Sequence, residues 1–154
     1  MMPNRVAFAA VLSLSIASLA AQAHGNRTES ETLWQPGSYA QLLDTLTSGR
    51  SVAVTIHFSQ CLISSTGTSG PEVVGGFLIN GYLVPNNQYI VFSDVHETLD
   101  PQNARVTEFT RYRVLPDDKV VVRTASVRLS DGTLSNQAEY QCVLGKGINF
   151  NVHH

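Results

Sequence analysis

Two hydrophobic periodicities divide the chain. In SYAQLLDTLTSGR, residues Tyr39, Leu42, Leu43 and Leu46 recur at the i, i+3, i+4, i+7 spacing of one buried helical face. Ser38 stands where a cap is needed, Gln41 follows three residues later as in a capping box, and Gly49 is placed to end the helix. From Ser51 the period changes to two: Val52, Val54, Ile56 and Phe58 alternate with Ala53, Thr55 and His57, which predicts a half-buried strand that delivers Cys61. His57 lies on the opposite face and reads as a solvated sheet histidine.

LISSTGTSGPEVVGG is a Ser/Gly/Thr connector, and no GKS or GKT follows its glycines, so it does not have the spacing of a phosphate loop. FLINGYLV reads as a strand pair, or one bulged strand, about Asn80-Gly81. Pro85-Asn86-Asn87 then turns the chain into QYIVFSDVHETL. Two hairpins follow, turning at Pro116-Asp117-Asp118 and at Asp131-Gly132. The fold class is α+β, mainly β: one N-terminal helix and then a six- or seven-stranded antiparallel meander, as a curled sheet or a small barrel.

The residues before the helix change where this domain is expected to work. Arg5 precedes an apolar run from Val6 to Ala20, and Ala21-Gln22-Ala23 has a small-x-small cleavage pattern, so residues 1–23 read as a secretory signal peptide. The run is shorter than the roughly 20 residues of a spanning helix, and no membrane insertion is expected after cleavage. Residues 24–36 form an irregular lead-in containing the Asn26-Arg27-Thr28 sequon, which matters only in a eukaryotic cell. Residues 37–154 make one domain, with the mature chain secreted to the periplasm or the outside of the cell.

Beyond the signal segment, nine basic side chains face twelve acidic ones with no basic stripe, which argues against nucleic acid as a partner. Cys61 and Cys142 are the two cysteines, and export places them where thiols pair. Their bond would close a loop of roughly eighty residues, valued at about 4 kcal/mol by chain entropy. A free nucleophilic cysteine served by His57 or His96 would need a reduced thiol, which export opposes.

Candidate chemistry is sparse. If Asp131-Gly132 is a two-residue turn, Arg123 faces Tyr140 and Val121 faces Cys142; the same parity across Pro116–Asp118 sets Tyr112 opposite Arg123. Arg123 and Glu108 then point inward together, either as a structural ion pair or as the polar floor of a ligand pocket flanked by Tyr112 and Tyr140. In YIVFSDVHETL the alternation puts Asp94 and His96 on one face and Ser93 and Glu97 on the other. A carboxylate two residues from an imidazole can orient it as a base or a metal ligand. No HExxH, cysteine cluster or GxSxG elbow accompanies the pair, so a hydrogen-bonded strand end is the simpler expectation, without metal or cofactor.

The YAQLLDTLTSGRSVAVTIHFSQC helix–strand unit, YIVFSDVHETL, EFTRYRVLPDDKVVVRT and the late cysteine of EYQCVL, behind a signal peptide, together resemble the VirK family of small secreted proteins from about Ser38 to Leu144. The resemblance implies an exported one-domain protein in which Ser93, Asp94 and His96 belong to a recurring strand motif. It implies no substrate. The expected function is a non-enzymatic binding or interaction module for a partner protein or a small or lipid-like ligand, the alternative being a hydrolase or metal-dependent enzyme that uses Asp94 and His96. The absence of repeats argues against a structural or matrix protein.

Overall fold

The structure, a computed structural model, describes residues 35–153. The expected signal peptide, Asn26 and most of the lead-in lie outside the described residues. Helix α1 (Tyr39–Thr47) is capped by the Ser38 hydroxyl, which accepts from the Gln41 N–H at 3.3 Å. The Gln41 side chain reaches one residue further back than a capping box requires and accepts from the Gly37 N–H at 2.8 Å. At the other end Gly49 takes φ +78°, so that its N–H reaches Leu46 O and the Arg50 N–H reaches Thr45 O, a glycine-terminated helix end. Tyr39, Leu42 and Leu46 are buried, as the helical spacing requires.

Among the described residues eight strands follow: β1 (Ser51–His57), β2 (Leu62–Ile63), β3 (Val74–Leu78), β4 (Ile90–Leu99), β5 (Arg105–Val114), β6 (Lys119–Arg128), β7 (Leu134–Leu144) and β8 (Gly147–His153). They form one mixed sheet in the order β3-β1-β8-β7-β6-β5-β4, with β2 paired to β7. The sheet is barrel-like and nearly closed; β3 and β4 are the two ends of the order, so the barrel has a seam between them. Strands β4 to β7 are the expected meander. Strand β8 is not part of it: after Leu144 the chain sidesteps through Gly145 (φ +78°) and Gly147 (φ +87°) and continues in the same direction, pairing briefly parallel to β7 and then antiparallel along β1. A Cβ on Gly147 would lie 3.0 Å from Cys61 Sγ, so this step takes a glycine both for its φ and for the approach of the disulfide.

The Cys61–Cys142 bond is present across 81 positions of sequence, at the place where β7 gives way to β8. Its core surroundings are made by alternation. Val52, Val54 and Ile56 of β1, Ile148, Phe150 and Val152 of β8, and Val120 and Val122 of β6 are all essentially buried. Phe92 stacks on Tyr112 at 5.0 Å between ring centroids, Phe77 packs 5.3 Å from Tyr112, and Phe150 meets Phe92 edge-on at 5.9 Å.

Three expectations are corrected. The strand placed over FLINGYLV begins earlier, at Val74, and ends at Leu78. The loop at Pro116–Asp118 has three residues, closed by the Leu115 N–H donating to Lys119 O at 2.8 Å, with Asp118 at φ +62°. Tyr112 therefore faces Val122, and Arg123 faces Arg111. The Asp131-Gly132 turn is also longer than two residues, closed by Arg128 N–H to Thr133 O, and a bulge between Thr124 and Ser126 beside Asn136 (φ +50°) shifts the register again. Arg123 thus pairs with Glu139 and Val122 with Tyr140. A slip of one residue exchanges the two faces of a strand, so Arg123 points outward and is no inward partner of Glu108.

A cavity at the barrel seam

The inner face of the sheet lines a half-open cavity of about 850 Å³ beside the β3–β4 seam. Its apolar lining includes Ile56, Phe58, Phe77, Tyr112 and Tyr140. Alternation puts Ile56 there from β1 and Tyr112 from β5; the short helical turn Phe58–Gln60 after β1 swings Phe58 onto Tyr140, edge to face at 4.8 Å. The connector passes close behind: a Cβ on Gly70 would lie 2.5 Å from Phe58 O and 3.2 Å from the Tyr140 ring. Gly75, opposite Ile56 on β3, also lines the cavity, and the missing side chain there leaves space that a larger residue would fill.

One end of the cavity is polar. Asp94 and His96 share a face of β4, and Glu108 on β5 is the cross-strand partner of His96. The His96 ring spans the two carboxylates, with Nδ1 3.1 Å from Asp94 Oδ2 and Nε2 3.3 Å from Glu108 Oε2. A neutral imidazole donates to one of them, a protonated ring to both. Both ring nitrogens face carboxylate oxygens and converge on no shared vacant point. Among the described residues no group of three or more His, Cys, Asp or Glu side chains is placed to hold a metal ion. Behind them Ser126 is buried, and its hydroxyl accepts from Asn136 Nδ2 at 3.3 Å.

Burial first, and then the charge of Asp94, push ionisation of the Tyr112 phenol far above the ordinary tyrosine range. The phenol stays neutral, a donor and acceptor between the aromatic floor and the acidic end.

The candidates read from sequence separate by face. Glu108, Tyr112 and Tyr140 line the cavity together with Asp94 and His96. Arg123 does not: its side chain is 61 % exposed on the outer face, and its Nε donates to Glu139 Oε2 at 2.5 Å. That hydrogen bond, followed by one from Ser64, holds the Glu139 carboxyl below its ordinary range. Ser93 also lies outside, opposite Arg111. Gly75, Phe58, Phe77, Ser126 and Asn136 were not candidates. The GG of VVGGF was the available signal, since paired glycines within a strand mark a close approach or an open space.

The VirK protein family matches residues 35–132 of this chain. A protein of Sinorhizobium fredii is 31% identical over 117 residues, which cover 73% of this chain and 79% of that protein. A protein of Rhizobium radiobacter is 24% identical over 115 residues, covering 74% and 79% respectively. Both are described as uncharacterized. The crystal structure of a VirK family protein from Legionella pneumophila superposes with a TM-score of 0.67 at 16% identity, over 75% of this chain and 97% of that one, a likeness of fold.

Proposed function

The chain belongs to the VirK family, and from that premise we propose that it is an exported, non-enzymatic binding module that takes a small or lipid-like ligand in the cavity at the barrel seam. The observation that carries this reading is the cavity itself. Its volume of about 850 Å³ is within the roughly 300–1,000 Å³ of small-molecule sites, and it joins an aromatic floor to a few polar groups at one end, the usual composition of such sites. The seam offers a way in. Export is supported by the apolar N-terminal segment and by the Cys61–Cys142 bond, which suits an oxidising compartment. Among the described residues no helix is long and apolar enough to cross a membrane.

The ligand's apolar body would lie on Tyr112, Phe77 and Phe58, with its polar end at Asp94, His96 and Glu108. Those carboxylates favour a hydrogen-bond donor or a cation over an anion. The test uses N-phenyl-1-naphthylamine, an uncharged apolar probe whose fluorescence rises when it leaves water. The folded protein is expected to give saturable enhancement, and Gly75→Leu, which projects a side chain into the cavity, is expected to weaken it at least tenfold. Gly75→Ala, whose Cβ meets Ile56 Cγ2 at 3.4 Å, controls for strain in β3. No saturable enhancement, or equal binding by Gly75→Leu, would remove the cavity from consideration as a ligand site.

A further inference from the structure

The outer face of β5 and β6 carries a second arrangement of charge, and its apolar residues Phe109 and Ala125 also border the cavity. Arg111 lies directly opposite Arg123, and Arg113 is two residues along β5 on the same face. Like charges directly opposite on adjacent strands destabilise a sheet unless something of opposite sign sits between them. Among the described residues the only carboxylate in salt-bridge contact with these guanidiniums is that of Glu139, which meets Arg123. The Arg113 guanidinium lies over the Tyr89 ring, 4.7 Å from its centroid, which uses its face and leaves the N–H edge open.

Arg111, Arg113 and Arg123, with Val121 beneath, line a hollow of about 20 Å³. That is room for one water-sized group, such as a single oxygen of an oxyanion seated over the three guanidiniums. The next row of the sheet is apolar: Val95 faces Phe109, and Phe109 faces Ala125. These three residues border a groove of about 340 Å³ that also reaches Arg111 and Arg123 and, at its other end, Asp94. Val95 is 53% exposed and Phe109 42%, so a shelf of apolar surface adjoins the guanidiniums.

We propose that this face is an oxyanion site in which Arg111, Arg113 and Arg123 hold a phosphate or sulfate group while the Val95–Phe109–Ala125 shelf takes the apolar body to which that group is attached. Guanidinium forks match tetrahedral oxyanions with paired N–H donors, and an anion at the hollow would add to Glu139 in offsetting the Arg111–Arg123 opposition. The ligand class is a phosphate or sulfate monoester with a small apolar substituent. Inorganic phosphate, with the same head and no body, separates the two parts of the site.

The test follows the arginine Nε–Hε signals by NMR on the whole folded domain, with phenyl phosphate and inorganic phosphate titrated against chloride at matched ionic strength. Phenyl phosphate is expected to shift Arg111 and Arg113 with one-site saturation and to bind roughly tenfold more tightly than inorganic phosphate. Arg111→Gln is expected to abolish saturation at Arg113 and, in phosphate-free low-salt buffer, to raise the melting temperature by relieving the facing charges. Phe109→Ala is expected to remove the preference for phenyl phosphate and leave inorganic phosphate binding unchanged. Linear shifts no larger than those with chloride, or full binding by Arg111→Gln, would overturn the oxyanion site. Equal affinity for the two probes in the parent protein would overturn the role of the shelf.

Discussion

On the inner face of β5, Glu108 and Tyr112 look onto an aromatic cavity and a histidine held between carboxylates; on its outer face, Arg111 and Arg113 look onto water, a third arginine and an apolar shelf. Arg111, Tyr112 and Arg113 are consecutive, so the sheet's alternation alone separates these environments. Among the described residues, no salt bridge joins Arg111, Arg113 or Arg123 to Asp94 or Glu108. Asp94 and Glu108 meet His96, and among the described residues Glu139 is the carboxylate in salt-bridge contact with the trio Arg111, Arg113 and Arg123. One sheet layer thus has an acidic end on its inner side and a basic hollow on its outer side.

The two faces are expected to differ most in stability. Tyr112 is 3% exposed and stacked on Phe92, so Tyr112→Ala is expected to cost about 3–4 kcal/mol in a denaturant titration. A loss below about 1 kcal/mol would mean that Tyr112 is not part of the inner core.

A subtler probe of the same residue is pH. Because the folded-state pKa of Tyr112 is raised, its contribution is complete below the unfolded value and is lost as pH rises toward the folded one. Above the ordinary tyrosine value of about 10, the parent is expected to lose stability with a slope from this residue of up to about 1.4 kcal/mol per pH unit. Tyr112→Phe is expected to remove that part of the slope. An alkaline limb of equal steepness in both proteins would place the phenol in water.

His96→Ala is expected to cost about 0.5–1 kcal/mol, the range of exposed ion pairs, by leaving Asp94 and Glu108 without the ring that spans them. Thermal unfolding with and without zinc checks this, and a stability that rises several degrees with zinc only when His96 is present would turn the acidic end into a metal site. The smallest effect belongs to the outer face. Arg123→Ala loses the Glu139 pair and relieves Arg111, and it is expected to change stability by less than about 0.5 kcal/mol. A cost above about 3 kcal/mol would be the signature of a buried charge pair and would return Arg123 to the inside.

That last residue shows what was legible in the sequence and what was not. The helix with both its ends, the alternation of β1 and the common face of Asp94 and His96 follow from local pattern, because spacing within one element sets which side chains lie together; the disulfide follows from the cysteine count and the export signal. The position of Arg123 depends on the turns on either side of it. A three-residue loop at Pro116–Asp118 and a bulge beside Asn136 each shift the register by one, and each shift exchanges the faces. Asp118 and Asn136 adopt positive φ; both are residue types that turns favour, but such a residue marks a turn or bulge without fixing how many residues it takes, and the register depends on that number. Strand β8 has plain alternation in Ile148, Phe150 and Val152, yet the chain reaches it by a sidestep through Gly145 and Gly147 and not by a hairpin. Gly75 and Gly76 read as loop because strand propensity rests on side chains, and the cavity wall uses their lack of one.

The separation of two sites by one sheet layer is tested most directly by mapping both probes on one labelled sample. N-phenyl-1-naphthylamine is expected to shift the side-chain signals of Tyr112 and Tyr140 and the backbone amide of Gly75 without moving the Arg111 and Arg113 Nε–Hε signals, while phenyl phosphate is expected to do the reverse. Overlapping sets of shifted side chains, or an arginine response to the uncharged probe, would contradict the assignment of the two faces to two ligands.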